Sequence, residues 1–384
     1  MLPSLSVHSK LPWVGTTIFT VMSRMAQEVG AISLSQGAPD FACSPELIDL
    51  IAHYMKMGYN QYAPMEGLLA LREQIASKTE RCYGFAPDPV TEVTVTTGAT
   101  EGLFAAITAV VRPGDEVIVF EPCYDSYIPA IELCGGKAIR LSLEGETYRI
   151  PWQQLKQAIT SRTRLLIINT PHNPTGSILR KPDIDQLTAI LKDSDIFLIS
   201  DEVYEHIIFD GEPHYSIARE PLLRERSFIM SSFGKTYHAT GWKVGYCIAP
   251  ANLTKELRKV HQFLVFSTHT ATQYALAEYL KKPETYETLP DFYQEKRDKF
   301  RQMMAQTRFR LLPCSGSYFQ LGSYAHLSDE ADAAYATRLT KEYGVATIPV
   351  SAFYKEATDQ RVLRFCFAKK DETLEKAVER LMRI

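Results

Sequence analysis

Short apolar segments alternate with helical patterns between residues 93 and 280. The apolar segments lack polar alternation and cover Val93–Thr97, Val117–Phe120, Leu165–Asn169, Ile196–Ser200, Phe228–Ser232 and Val244–Ala249. Helical patterns follow at Thr100–Val111 and near Asp183–Leu191, and further helical segments run to about Leu280. Strands that are apolar on both faces and joined through helices indicate a largely parallel sheet buried between helices. The pattern therefore predicts an α/β fold.

The pattern changes after Pro283. Residues 284–308 have the charged, amphipathic pattern of one long helix, and a final helix is predicted over Glu372–Met382. Between them, short strands are predicted near Tyr318–Leu321, Ala346–Pro349 and Arg361–Phe367. This mixture is typical of an α+β unit. We therefore expect a second, smaller domain that the N-terminal arm completes.

Composition narrows the class of protein. The 384 residues suit two domains, and 42 basic against 45 acidic residues leave a formal net charge of −3. That balance argues against a nucleic-acid binder and against disorder. No apolar run approaches the roughly 20 residues of a membrane-spanning helix, and no secretion signal is apparent. Seven cysteines without a C-x-x-C pair favour reduced thiols, so we expect a cytoplasmic enzyme.

Residues with reactive or anion-binding groups follow several of the predicted strands. In an open α/β sheet, ligands bind at the carboxyl ends of the strands. Strand 93–97 leads to Gly98-Ala99-Thr100 at a helix N-terminus, where free backbone N–H groups suit a phosphate. The later strands lead to Asn173-Pro174-Thr175-Gly176, to Asp201 with Tyr204, and to Ser232 with Lys235 and Lys243. These groups are predicted to meet at one edge of the sheet.

Each of these features also has a purely structural interpretation. Gly98-Ala99-Thr100 is compatible with an ordinary strand–helix turn, and Asn-Pro-Thr-Gly is good turn chemistry whatever the function. Asp201 is also suited to cap a following helix, and a lysine such as Lys235 is more often solvated than reactive. The functional interpretation depends on the joint placement of these residues at one sheet edge.

Together the residues resemble a known family, the fold-type I, pyridoxal-phosphate-dependent aminotransferases of class I/II. Within it, the chain is most similar to the branch of kynurenine aminotransferases, glutamine transaminase K and bacterial methionine aminotransferases. The resemblance covers nearly the whole chain through Ser35-Gln36-Gly37, Asn60-Gln61-Tyr62, Gly98-Ala99-Thr100, Pro171–Gly176, Asp201–Tyr204, Ser232–Lys235, Gly241–Gly245 and Arg364. It implies a large cofactor-binding domain over residues 41–284. Residues 1–40 and 285–384 would form the small domain, because Gly37 and Arg364 must meet at one site.

The resemblance implies a role for each residue around pyridoxal 5′-phosphate. Lys235 would hold the cofactor as a Schiff base and, once displaced, move the proton between the substrate Cα and the cofactor. Asp201 would face the pyridine nitrogen and keep it protonated. Asn173 and Tyr204 would hydrogen-bond the ring 3-oxygen. Lys235, Asp201 and Tyr204 are therefore the expected catalytic residues.

The cofactor phosphate and ring have their own expected partners. Tyr124, in Glu-Pro-Cys-Tyr-Asp, matches the aromatic residue that stacks on the ring, with a core tyrosine as the alternative interpretation. Lys243 stands where other branches carry arginine, and a compact cation still holds a phosphate. The resemblance implies that the phosphate is bound by Gly98, Ala99, Thr100, Ser232 and Lys243.

Arg364, in Val-Leu-Arg-Phe-Cys-Phe, matches the arginine that binds the substrate α-carboxylate through a bidentate pair. An arginine between apolar residues on a strand is costly unless it is paired, which favours a ligand-binding role. The Gly37 backbone and the Asn173 side chain would complete the carboxylate site. Tyr62 matches a tyrosine that reaches the phosphate bound by the neighbouring subunit. The resemblance therefore implies a homodimer with shared active sites.

The expected substrate has an uncharged side chain. Relatives specific for dicarboxylates carry a second arginine in the region aligned with residues 259–270, whereas here no arginine occurs between Arg258 and Arg297. Phe19 is a candidate for the side-chain pocket by its spacing from Gln36-Gly37, although a core position is equally compatible. We expect L-methionine or an aromatic amino acid such as phenylalanine, tyrosine or kynurenine as the donor, and a 2-oxo acid as the acceptor.

Other functions fit parts of the pattern. A C–S β-lyase acting on cysteine conjugates or cystathionine would use the same lysine, aspartate and arginine, so the motifs leave it open. Gly234-Lys235-Thr236 after a strand is similar to a phosphate loop, but the required earlier glycine is Ile229 and the chain has no G-x-G. A ligand-sensing regulator would usually carry an additional DNA-binding segment, which we do not expect here. The nine histidines lack the spacing of a metal site.

Overall fold

The computed structural model describes residues 7–356 and 358–384, so the first six residues of the predicted N-terminal arm lie outside the described residues. The strands are β1 (Ile32–Ser33), β2 (Val93–Thr96), β3 (Glu116–Glu121), β4 (Lys137–Ser142), β5 (Thr163–Asn169), β6 (Phe197–Asp201), β7 (Ser227–Ser232), β8 (Gly245–Ile248), β9 (Arg310–Leu311), β10 (Phe319–Ser323), β11 (Val345–Ala346), β12 (Ile348–Pro349) and β13 (Val362–Cys366). The α-helices are α1 (Ile18–Val29), α2 (Pro45–Lys56), α3 (Leu69–Tyr83), α4 (Gly98–Val110), α5 (Tyr127–Leu133), α6 (Trp152–Ala158), α7 (Lys181–Leu191), α8 (Pro221–Arg224), α9 (Phe233–Thr236), α10 (Ala251–Leu264), α11 (Thr270–Tyr279), α12 (Glu284–Glu287), α13 (Leu289–Met304), α14 (Asp332–Arg338) and α15 (Asp371–Leu381).

A seven-stranded sheet with the order β2-β8-β7-β6-β5-β3-β4 forms the centre of the fold. Neighbouring strands are parallel except at β8, which runs antiparallel to both β2 and β7. The predicted α/β fold with a mostly parallel sheet is thus confirmed. The register pairs Asn169 with Asp201 and Ser232 with Gly245, which aligns the strand ends that carry the candidate chemistry.

Strand β3 shows why these apolar segments form a buried sheet. All six of its residues are buried. Ile118 and Phe120 belong to the hydrophobic core on one face of the sheet, whereas Val117 and Val119 belong to the core on the other face. Successive side chains of a strand point to opposite faces, so the four central residues of this doubly covered strand are apolar. The buried glutamates at its two ends, Glu116 and Glu121, are paired with Arg162 and Arg140.

The structure differs from the sequence-based expectation at an edge strand and at one helix. Strand β4 was not predicted, because this edge strand is only partly buried and includes Lys137 and Arg140. The single helix expected over residues 284–308 is two helices, α12 and α13. Pro290 stands at the start of α13, where its missing N–H costs no intrahelical hydrogen bond.

The C-terminal part contains a four-stranded antiparallel sheet with the order β12-β13-β10-β9. Strand β1 pairs in parallel with β11, and the Cys366 N–H donates to the Leu34 carbonyl at 2.8 Å. The segment around Leu34 is therefore attached to the C-terminal part, an arrangement that the predicted division into residues 41–284 and residues 1–40 with 285–384 requires. No helix within the described residues combines the length and apolar character needed to cross a membrane.

Candidate active site

A cavity lies at the carboxyl edge of the central sheet, where β5, β6 and β7 end and α4 begins. Tyr62, by contrast, is 84% exposed and does not line this cavity. The cavity is lined by all the other residues predicted to bind the cofactor, namely Gly98, Ala99, Thr100, Tyr124, Asn173, Asp201, Tyr204, Ser232, Lys235 and Lys243. Its further lining residues were not predicted: Leu103, Asn169, Val203, Gly234 and Thr240.

Two glycines allow the backbone and a lysine to approach the start of α4. Gly98 has a φ of +71°, and a Cβ there would lie 3.2 Å from the Lys243 Nζ. A Cβ at Gly245 would lie 2.9 Å from the Ala99 nitrogen and 2.6 Å from the Ser231 carbonyl oxygen, which is too close. The first amides of a helix have no intrahelical acceptor and favour an anion. The start of α4 and the Lys243 ammonium therefore lie close together in an arrangement that suits an anion.

Asp201 is the last residue of β6 and is buried. The Tyr127 hydroxyl donates to its Oδ2 at 2.6 Å, and the Val203 N–H donates to its Oδ1 at 3.3 Å. Burial raises the pKa of Asp201 to about 6, although these hydrogen bonds favour the carboxylate. Tyr127 was missed from the sequence. The signal available in the sequence was its position, since Tyr127 begins helix α5 only three residues after Tyr124, which was predicted to contact the cofactor.

Asn169, also missed, connects the ends of neighbouring strands. Its side-chain N–H donates to the Asp201 carbonyl at 2.8 Å, and its Oδ1 accepts from the Asn173 N–H at 2.8 Å. The Asn173 Oδ1 in turn accepts from the Arg364 Nη1 at 2.8 Å. Asn173 is thereby fixed between the cavity and the arginine that was predicted to bind the substrate.

Arg364 is 1% exposed and lies on β13. Its Nη2 donates to the Ser35 carbonyl at 2.8 Å, while its buried Nε has no hydrogen-bond partner among the described residues. Burial lowers the pKa of Arg364 to about 10, and the side chain still remains cationic at neutral pH. No carboxylate of the described residues lies within 4.0 Å of it. A buried cation without an anion is costly, and the arrangement suits an anionic ligand.

Aromatic rings surround the Arg364 guanidinium. The Phe319 ring centre lies 3.9 Å from its central carbon, and the rings of Phe19 and Phe353 lie at 5.3 and 5.2 Å. Phe19 and Phe353 also meet edge to face, with ring centres 5.8 Å apart. Phe19 therefore lies beside the predicted carboxylate site in an apolar environment, and its role in a side-chain pocket stays a prediction.

Lys235 lies in the short helix α9 and is partly buried. Its Nζ lies 3.0 Å from the Tyr318 hydroxyl and 3.3 Å from the Gly37 carbonyl, and 5.5 Å from the centre of the Tyr204 ring. Burial lowers its pKa to about 8. A Cβ at Gly37 would lie 2.8 Å from the Phe319 ring, so a glycine permits this approach. Tyr318 was missed, since nothing in its sequence neighbourhood suggests contact with a lysine 83 residues earlier.

Known proteins match this chain over nearly its whole length. The profile of the aminotransferase class I and II family matches residues 29–381. The chain is 52% identical to the methionine aminotransferase of Escherichia coli K12 over 98% of both chains, and 34% identical to the kynurenine–oxoglutarate transaminase of Dictyostelium discoideum over 96% of this chain and 94% of that one. A solved Escherichia coli structure described as having a methionine aminotransferase function matches with a TM-score of 0.96 and 51% identity, covering 99% of this chain and 100% of that chain.

Proposed function

This chain belongs to the class I and II aminotransferases, and on that premise we propose that it transfers the amino group of L-methionine or an aromatic amino acid to a 2-oxo acid. The observation that carries the substrate proposal is the buried Arg364 in an aromatic environment, with Phe19 and Phe353 beside it. The 52% identity to a methionine aminotransferase over nearly the full length supports the same substrate class.

The donor set of the cavity fits pyridoxal 5′-phosphate. The amides at the start of α4, Ser232 and Lys243 are suited to its phosphate, and the buried carboxylate of Asp201 to its protonated ring nitrogen. Tyr124, Asn173 and Tyr204 would contact the ring and its 3-oxygen. When bound, this cofactor supplies an electron sink that stabilises negative charge at the substrate Cα.

Lys235 is the group that holds and moves the proton. A general base works best with a pKa near the operating pH, and burial brings the pKa of Lys235 to about 8. Its Nζ therefore has an accessible neutral form that can take a proton from a substrate carbon and return it elsewhere. Asp201 stays mostly ionised at neutral pH, since its pKa is about 6, and its negative charge would keep the ring nitrogen of the bound cofactor protonated.

Arg364 orients the amino acid. Its Nη1 and Nη2 are held by Asn173 and Ser35, which fixes the plane of the guanidinium. A planar guanidinium binds a carboxylate through parallel hydrogen bonds, so the α-carboxylate would be held in one orientation beside Lys235. With Phe19 and Phe353 nearby, the rest of the substrate would enter an apolar environment that favours an uncharged side chain.

The substrate proposal is tested by single half-reactions. Enzyme loaded with pyridoxal phosphate is mixed separately with methionine, phenylalanine and aspartate, and conversion of the aldehyde form of the cofactor to its amine form is followed by absorbance. We expect faster conversion with methionine and phenylalanine, and none in a Lys235→Ala control. Faster conversion with aspartate would refute the proposed substrate class. Ammonia and pyruvate released from a cysteine conjugate without an acceptor would identify the β-lyase reaction instead.

We also propose a homodimer in which Tyr62 completes the partner's active site. Tyr62 and Phe263 are 84% and 85% exposed, and Tyr62 contacts Phe266 edge to face at 5.4 Å. Exposed aromatic residues of this kind are typical of an interface. If sites are shared, mixing inactive Lys235→Ala subunits with Tyr62→Ala subunits should restore one complete site in each mixed dimer. Absence of restored activity in mixed dimers purified by two tags would refute shared sites.

A further inference from the structure

We infer that Tyr318 is a catalytic residue whose hydroxyl orients the Lys235 amine and sets the pH at which it loses its proton. The inference rests on the proposed role of Lys235. Tyr318 is fully buried, and its hydroxyl contacts the Lys235 Nζ at 3.0 Å. It therefore touches the atom that is proposed to move the proton.

The direction of the hydrogen bonds between Tyr318 and Lys235 follows from the Gly37 carbonyl, which both of them contact. The Tyr318 hydroxyl lies 2.5 Å from the Gly37 carbonyl oxygen, which can only accept. The single hydroxyl proton of Tyr318 is committed to that carbonyl, so its oxygen presents a lone pair to Lys235. The Lys235 Nζ also donates to the Gly37 carbonyl at 3.3 Å. Both neighbours of the amine are therefore acceptors.

Two acceptors fix the rotation of the amine. The Lys235 nitrogen is tetrahedral, with one bond to its own side chain and two N–H groups directed at Gly37 and Tyr318. The one remaining direction holds the third proton of the ammonium or the lone pair of the free amine. Lys235 lines the cavity, whereas Gly37 and Tyr318 do not. The remaining direction is thus turned away from both acceptors, which leaves it available to the cavity that Lys235 lines, where a base must present its lone pair.

The Tyr318 ring is packed against three other aromatic rings. It packs edge to face against Tyr204 and Phe319, with ring centres 5.1 and 5.0 Å apart, and it is tilted against Tyr293 at 5.8 Å. These ring contacts do not depend on the hydroxyl. A Tyr318→Phe variant would keep them, so it removes the hydroxyl without removing the packing.

Acceptors stabilise the charged form of an amine. Burial lowers the pKa of Lys235 to about 8, and the loss of the Tyr318 oxygen would lower it further. The groups that act on Lys235 from the surrounding elements are Asp201 and Cys366, which favour its charged form, and Lys243 and Arg364, which oppose it. None of these is altered by Tyr318→Phe, so a change in the titration reports on the hydroxyl.

The test measures Lys235 in cofactor-free protein. Its modification by fluorodinitrobenzene is quantified as a function of pH by mass spectrometry of the peptide that contains it. We expect the midpoint to fall by about one pH unit in Tyr318→Phe, a tenfold change in the proton equilibrium. In the loaded enzyme, we expect kcat for methionine to fall about tenfold or more, the range of general-base effects, with KM almost unchanged.

Tyr293→Phe is the matched control, because Tyr293 is buried beside Tyr318 and its hydroxyl has no hydrogen-bond partner among the described residues. It should leave the midpoint unchanged. An unchanged or higher midpoint in Tyr318→Phe would overturn the inference. Failure of borohydride to attach the cofactor to Lys235 in the wild-type protein would instead overturn the proposed function, so the two failures are distinguishable.

Discussion

Removing the Tyr127 hydroxyl should move the acid limit of cofactor binding to higher pH. In a Tyr127→Phe variant, Asp201 loses its 2.6 Å hydrogen bond and keeps only the 3.3 Å bond from the Val203 N–H. A hydrogen bond donated to a carboxylate favours the charged form. Its loss must therefore raise the pKa of Asp201 above the value of about 6 that it has in the intact site.

The size of the effect follows from the strength of this bond. A hydrogen bond to a charged group contributes about 1.5–3 kcal/mol, and one pKa unit corresponds to about 1.4 kcal/mol. The lower figure gives Asp201 a pKa of about 7 in the variant. At pH 6.5 the ionised fraction of Asp201 would fall from about 0.76 to about 0.24, whereas at pH 8 it would fall only from about 0.99 to about 0.91.

The assay is a fluorescence titration of cofactor-free protein with pyridoxal phosphate at pH 6.5 and pH 8. We expect Tyr127→Phe to weaken binding about threefold at the lower pH and scarcely at the higher pH. Tyr324→Phe serves as the control, because Tyr324 is equally buried and donates to the Glu330 carbonyl at 2.7 Å. An equal loss of affinity at both pH values would contradict this prediction, since it would indicate a changed shape of the site and not a changed proton equilibrium of Asp201.

Three further predictions concern other parts of the molecule. Lys78 and Glu205 form an ion pair at 2.9 Å, with side chains that are 2% and 3% exposed. In urea unfolding, Lys78→Met should destabilise the protein by about 3–5 kcal/mol because it leaves a buried charge unpaired, whereas the double variant Lys78→Met/Glu205→Leu should destabilise it much less. Equal losses of stability in the two variants would contradict this prediction. Lys235→Ala should abolish transamination while circular dichroism stays native, and full turnover would exclude its proposed role. Arg364→Lys should raise KM for methionine about tenfold or more, because the bidentate geometry is lost; an unchanged KM would place the carboxylate elsewhere.

The sequence predicted elements whose formation depends on local pattern. Strand β3 was predicted from its apolar segment Val117–Phe120, which is buried on both faces, whereas the edge strand β4 was missed because its exposed positions admit charges. Asp201 and Ser232 were predicted at one site because parallel strands end at a common edge. This step needed only the order of the strands and the residue that follows each one.

The supporting residues could not be predicted in the same way. Tyr318 contacts Gly37 across 281 positions of sequence, and Tyr127 contacts Asp201 across 74. Each is an aromatic residue in an apolar neighbourhood, a pattern that equally suits a core position. Their polar function arises because a single hydroxyl finds a partner inside an otherwise apolar environment, and that depends on the register and packing of distant elements.

One physical cause, burial, acts on three charged groups in and beside the cavity. It lowers the pKa of Lys235 to about 8 and of Arg364 to about 10, and raises that of Asp201 to about 6. At pH 7 about a tenth of Lys235 is then neutral, against about 0.03% for a lysine with an ordinary pKa of 10.5. The ordinary pKa values of arginine and aspartate lie far enough from pH 7 that Arg364 and Asp201 keep their charges after these shifts. The same desolvation therefore provides the proposed base without discharging the two groups that are proposed to bind the substrate carboxylate and to keep the ring nitrogen protonated.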